Sequence, residues 1–173
     1  LPSGATPPHS TDAPLLTVLA AVLRNGYLHR TIREQGGAYG GGASHDANIG
    51  AFRFFSYRDP RLQGTLDDFT ASVQWFIDTQ HSQLVLEEAI LGVIGSMDKP
   101  GSPAGEAKKH FHELLFERTQ AHRAAFRNGV VNATLEELKR VASTYLLAHD
   151  PSVAVITNAD TAASERQYLA DLH

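Results

Sequence analysis

The stretch Leu28-His29-Arg30-Thr31-Ile32-Arg33-Glu34-Gln35-Gly36-Gly37-Ala38-Tyr39-Gly40-Gly41-Gly42 decides the reading of this chain. It reads as a helix stopped by paired glycines, then a strand that opens on a tyrosine between small residues. Glycine at and just past a helix C-terminus supplies the left-handed turn that other residues resist. The glycines around Tyr39 would leave the backbone open to close approach by a peptide or phosphate. Arg33 and Tyr39 are six residues apart and flank one tight turn, so both can point at one spot. A guanidinium fork and a phenolic hydroxyl are suitable donors to a carbonyl or a developing oxyanion.

Working outward, a helix is predicted from about Asp12, with Pro14 tolerated in its first turn. Leu16, Leu19, Leu23 and Tyr27 form its apolar stripe, and Asn25-Gly26 is a point for a kink or break. Beyond Tyr39, strands are predicted over roughly 38–46 and 49–58, joined by Asp46-Ala47-Asn48 as a tight antiparallel hairpin. Phe52, Phe54 and Ser56 alternate with Arg53, Phe55 and Tyr57. One face of that aromatic cluster reads as core. Pro60 closes the second strand.

The rest reads as mostly helical. Leu62, Leu66, Phe69, Val73 and Phe76 recur at helical spacing, as do Leu86, Ile90, Val93 and Met97. Asp98-Lys99-Pro100-Gly101-Ser102-Pro103 breaks the pattern and reads as a helix–helix connection. A helix over about 104–117 carries Ala107, Phe111, Leu114 and Leu115 on one face. Thr134-Leu135-Glu136-Glu137 has capping-box form and starts a helix with Leu138, Val141, Ala142 and Tyr145 inward. Residues 152–157 (Ser-Val-Ala-Val-Ile-Thr) read as a short buried strand. The sequence thus divides into an extended Pro/Ser-rich lead-in (1–11), one domain (12–158) and a peripheral, short-helical tail (159–173). Three strands make a thin sheet for so many helices, so a strand ahead of residue 1 is expected to complete it.

The chain has 173 residues, 42% of them hydrophobic and 20% charged, the composition of one soluble domain with a real core. A formal charge of −4 argues against a nucleic-acid binder. No apolar run approaches the roughly 18–20 residues needed to cross a bilayer. Leu1-Pro2-Ser3-Gly4 lacks the basic and apolar regions of a signal peptide. Zero cysteines exclude disulfides and thiolate metal sites and fit an intracellular protein. Arginine exceeds lysine and alanine is abundant, which suggests a GC-rich bacterial source. The bacterial cytoplasm is therefore the expected compartment, with the mitochondrial matrix or another organelle as the alternative.

Each candidate has a plainer explanation. Arg33 in a last helical turn complements the dipole, and Tyr39 can be an ordinary strand aromatic. His110-Phe111-His112-Glu113 suggests zinc, yet residues two apart on a helix diverge; i,i+4 spacing is what shares a face. Glu106 and His110 do share one, but a carboxylate and one imidazole make an incomplete site, so no metal ligands are assigned. His29 shares a face with Arg33 and reads as its neighbour. The glycines of 36–42 run from helix into strand with no lysine following, the wrong order for a P-loop.

The stretch 28–42, together with Phe54-Phe55-Ser56-Tyr57-Arg58-Asp59-Pro60, resembles the pitrilysin/insulinase zinc metallopeptidases, in particular their presequence-protease branch. The resemblance covers about residues 12–158, with two motifs in the right order and separation. It implies the last of four homologous α/β domains in a clamshell that encloses unfolded peptides: an antiparallel-rich mixed sheet with helices on one face, here without its first strand. By this resemblance the first domain holds zinc through His-x-x-Glu-His and activates water with the intervening Glu. The last domain supplies an Arg and a Tyr that reach the substrate across the chamber. Arg33 occupies the carbonyl-binding position and Tyr39 the oxyanion-donating, catalytic one, with Gly37 and Ala38 beside them as substrate-binding backbone.

The sequence contains no His-x-x-Glu-His. The expectations are that zinc serves the intact enzyme from another domain and that this chain alone hydrolyses nothing. Its partners would be a peptide substrate and the N-terminal half of the same protein, and neither nucleic acid nor membrane. The piece on its own is expected to self-associate, to retain a noncovalently bound upstream fragment or to be marginally stable. The rival reading is a zinc-free, peptidase-like scaffold that holds a peptide or a partner; retention of both Arg33 and Tyr39 favours the enzyme.

Overall fold

The computed structural model of the protein describes residues 10–148 and 150–171. The expected lead-in, as far as residue 9, lies outside them. The fold is α+β: one antiparallel hairpin set against helices.

Helix α1 (Ala13–Leu23) is the hub. Nine of its eleven residues are buried, Leu16, Val18, Leu19 and Leu23 completely. A helix apolar nearly all round needs partners on every side, and α1 packs on the hairpin, α2 (Gln63–Asp78), α3 (Gln83–Met97), α5 (Gln120–Val131) and α6 (Leu135–Val141). At Arg24 the helix does not break. It widens into a π-wound segment, Arg24–Gln35. Gly26 is where the ring of Trp75 from α2 lies close, since a Cβ there would stand 2.8 Å from Trp75 Cη2. The expected kink is thus a change of winding, with the glycine serving a helix contact.

Strands β1 (Gly40–Asp46) and β2 (Ala51–Tyr57) pair antiparallel from Gly40 opposite Tyr57 to Asp46 opposite Ala51. Phe52 is fully buried, and its ring packs 5.2 Å from Phe54, which stacks at 5.3 Å on Phe69 of α2. Arg53, Phe55 and Tyr57 face outward. The alternation read from the sequence is the one observed.

Helices α2 and α3 and the interruption over 98–102 stand where the periodicity places them. Thr134 and Glu137 form a reciprocal capping box at the start of α6, which continues as a π-wound turn, Ala142–Leu147. Asp12, just ahead of α1, accepts from both terminal nitrogens of Arg140 and from the Tyr145 hydroxyl at 2.8 Å. The Arg140 fork holds the Asp12 carboxyl below the ordinary carboxylate range, so the first and last core helices are joined by a charge-assisted clasp.

Two expectations fail, and one helix was not foreseen. Residues 152–157 form no strand: Ile156 is fully exposed, Val153 and Val155 only half-buried, and the sheet among the described residues has two strands. Local β-propensity makes a strand only where a neighbouring strand offers hydrogen-bond partners. Helix α4 (Pro103–Leu115) exists, but Phe111, Leu114 and Leu115 are 62%, 67% and 62% exposed, so the expected core face lies outside. Helix α5 had no distinct signal, because its inward residues are few: Val130 is buried and Phe126 half-buried. The tail forms two short helices, α7 (Ala159–Ser164) and α8 (Arg166–Asp171). No helix of the described residues is long and apolar enough to cross a membrane.

His45 on β1 carries a pH expectation. Thr17 Oγ1 donates to the Ala13 carbonyl at 2.9 Å and lies 3.0 Å from His45 Nδ1, so Nδ1 carries the proton and donates to Thr17. Nε2 is buried with no protein partner. Burial lowers the pKa from 6.5 to about 4, against a smaller opposing pull from Asp46. Below pH 6.5 the unfolded chain takes a proton that the folded ring refuses. Stability should therefore fall between pH 6.5 and about 4, by on the order of 2–3 kcal/mol. Urea titrations at pH 7 and 4.5 test this; His45→Gln should flatten the difference, and an unchanged slope would remove His45 as its source.

Candidate functional site

The two sequence stretches that carry the resemblance fold against each other. The π-wound segment ends at Gly36; Gly37 has φ +80°, the left-handed conformation a glycine takes without strain. Gly37 N–H donates to the Arg33 carbonyl at 3.2 Å and Ala38 N–H to the Ile32 carbonyl at 3.1 Å. Compared with a Schellman ending, each of these closing bonds spans one residue more, in keeping with the wider winding.

Tyr57, Arg58, Pro60 and Arg61 then brace that turn, and Asp59 positions Arg61. The Tyr57 ring lies over Gly40, where a Cβ would collide with it, and 5.7 Å from the Tyr39 ring. Arg58, held at φ 49°, accepts the Tyr39 N–H on its carbonyl at 3.3 Å. Its guanidinium carbon stands 5.3 Å from the centre of the Tyr39 ring, a cation–π contact. Asp59 accepts from Arg61 N at 3.0 Å and from the Thr65 hydroxyl at 2.7 Å. Pro60 lies under Gly37. Arg61 reaches beneath Gly36 to the Thr31 carbonyl at 3.3 Å and to Asp68 at 2.9 Å. A side chain on Gly36 would collide with that guanidinium and with the Ile32 carbonyl.

The glycines therefore differ in purpose from the open backbone expected. The places their side chains would take are occupied from within: Gly36 by Arg61, Gly40 by Tyr57, Gly41 by Ile32 and Gly42 by Arg24. They let the strand lie directly on the helix. Gly37 is exposed and Ala38 buried, and both of their N–H groups are engaged inside the turn. Any contact they make with a peptide therefore runs through carbonyls, Cα or the Ala38 methyl.

Arg33 and Tyr39 both face solvent, Tyr39 at 64% exposure. Arg33 donates to His29 Nε2 at 3.3 Å, and His29 Nδ1 stands 3.3 Å from Glu34 Oε1. The two contacts agree when Nδ1 carries the proton, so the ring passes Glu34's pull on to the guanidinium. In this winding, residues four and five further on both lie over His29. Sequence reasoning placed His29 beside Arg33, but missed Glu34, Arg58 and Arg61; the signal was their position inside or just beyond the same two stretches.

Two cavities among the described residues lie away from this turn. One of about 440 Å³ lies at the hairpin connection, among Thr17, His45, Arg53 and Arg118; another of about 620 Å³ lies between α1 and α5. Arg33 and Tyr39 instead stand on an open surface. Among the described residues no group of three or more His, Cys, Asp or Glu is placed to hold a metal ion. His110 pairs with Glu113 at 3.7 Å, and Glu106 accepts from Gly101 N–H at 3.2 Å.

The model of the family described as the PreP C-terminal domain matches residues 8–159. The chain belongs to that family. It is similar to the mitochondrial presequence protease of Eremothecium gossypii, 37% identical over 142 residues, which are 82% of this chain and 14% of that protein. The like-named protein of Saccharomyces cerevisiae is 37% identical over 146 residues, 84% of this chain and 14% of its own length. That of Xenopus laevis is 37% identical over 138 residues, 79% and 13%. The chain thus spans about one seventh of the length of these relatives. All three are named mitochondrial, which supports the organellar alternative and lends nothing to the bacterial cytoplasm.

Proposed function

We propose that this PreP C-terminal domain, with residues 12–158 as its working unit, belongs to a zinc peptidase that cuts unstructured peptides, and that it supplies the substrate clamp. The observation that carries the reading is the placement of Arg33 and Tyr39. Both are exposed on either side of one turn, and neighbouring residues brace the turn and hold the Tyr39 ring. In this reading Arg33 donates its fork to a backbone carbonyl of the bound peptide. Tyr39 donates its hydroxyl to the carbonyl oxygen under attack, and Gly37 and Ala38 line the path of the peptide. In this reading the zinc ligands come from the N-terminal half of the same protein, which also closes the site from the opposite side. The relatives' names point to mitochondria as the compartment.

Arg33→Ala in the intact protein should both raise KM and lower kcat, because a carbonyl clamp acts in the ground and transition states alike. Arg33→Lys should recover only part, since an ammonium lacks the planar fork. Steady-state kinetics on a quenched peptide decide it. Parameters unchanged in Arg33→Ala would remove the clamp and leave a peptidase-like scaffold as the better reading.

A further inference from the structure

Arg58 holds a conformation that strains an arginine and would suit a glycine. It follows β2 directly at φ 49°, in the left-handed region where a Cβ is crowded. Its carbonyl adds one bond to the ladder, from Tyr39 N–H at 3.3 Å, just beyond the Gly40–Tyr57 pair. That backbone task needs no side chain, and at Gly37 the chain meets the same requirement with a glycine at φ +80°. An arginine at such a position points to a task for its side chain. Its guanidinium carbon lies 5.3 Å from the centre of the Tyr39 ring, and among the described residues the group has no ion pair or hydrogen bond. The adjacent carboxylate is engaged elsewhere, since Asp59 accepts from Arg61 N and from the Thr65 hydroxyl. Tyr57, the ring 5.7 Å from Tyr39, also fills the space over Gly40 and so serves the hairpin as well.

We propose that Arg58 is a positioning residue for Tyr39: its guanidinium holds the ring so that the hydroxyl presents to the peptide carbonyl under attack. The inference rests on the reading that Tyr39 donates to that oxygen. Tyr39 is 64% exposed, and a phenol this open samples several rotamers unless something fixes it. Every rotamer that points away from the reacting carbonyl idles the donor, because a donor stabilises a transition state best when it is already in place. A cation on the ring limits that freedom without using the hydroxyl, which has no hydrogen bond among the described residues. Arg58 thus acts on the chemical step through Tyr39 and not on peptide binding.

Kinetics of single and double variants of the intact protein on a quenched peptide test the proposal. Arg58→Gln removes the charge and keeps the backbone. Its kcat should fall about fivefold, the scale of one exposed cation–π contact, with KM within about twofold of wild type. Arg58→Lys should restore most of the loss, because the cation returns. Arg58→Gly should lower kcat as Arg58→Gln does, while the melting temperature holds or rises, since glycine relaxes the left-handed turn. A residue that merely held the fold would lower both. In a Tyr39→Phe background Arg58→Gln should change kcat by less than about 1.5-fold, because no hydroxyl is left to aim. A wild-type kcat in Arg58→Gln, a loss that appears in KM instead, or an equal loss of kcat in both backgrounds would overturn the proposal and leave Tyr39 in the mechanism. A wild-type kcat in Tyr39→Phe would overturn the assignment of that hydroxyl, and this inference with it.

Discussion

Tyr39→Phe in the intact protein should lower kcat by about 10²–10³ while KM stays close to wild type. The hydroxyl is assigned to an oxygen that becomes anionic only in the transition state, so its loss is felt in the chemical step and hardly in binding. One such donor is typically worth that factor. The substitution should leave the turn intact. The ring keeps its place against Tyr57 and under Arg58, and its N–H still reaches the Arg58 carbonyl, because none of these contacts uses the hydroxyl. Circular dichroism and the melting temperature should match wild type, so that the kinetic loss reads as chemistry. A kcat within about threefold of wild type would take Tyr39 out of the mechanism.

Phe52→Ala should be the most damaging single truncation of the core, at about 3–5 kcal/mol. The ring is completely buried in β2, between the His45 ring at 6.4 Å and Phe54 at 5.2 Å, and through Phe54 it links the hairpin to α2. A domain of this size shifts by roughly 2–4 °C per kcal/mol, so calorimetry should show a drop of about 6–20 °C. The hairpin carries the brace of the candidate site, because Tyr57 and Arg58 lie at the far end of β2. Activity should therefore fall before the domain melts. A drop of under 2 °C would mean that the hairpin is not seated on Phe52.

Much of this protein is legible in the order of its residues. The 3.6-residue recurrence from Leu16 onward, the glycine stop at Gly36, the alternation around Phe52 and the capping box at Thr134 are local signals, and local hydrogen bonding and steric limits suffice to read them. The two family stretches are also contiguous, so the linear order alone brings out the pair Arg33 and Tyr39. Three matters needed the tertiary structure, each because it depends on what stands next to a residue in space. The glycine run is closed by Arg61, Tyr57, Ile32 and Arg24, residues up to 25 positions away from the glycines they meet. Residues 152–157 have the composition of a strand, yet the described hairpin offers them no pairing. The apolar stripe of α4 has the periodicity of a core helix, but periodicity marks only which side is apolar. Packing decides whether that side meets this domain, and here Phe111, Leu114 and Leu115 stay exposed, while Glu113 on the other side pairs with Arg123 of α5.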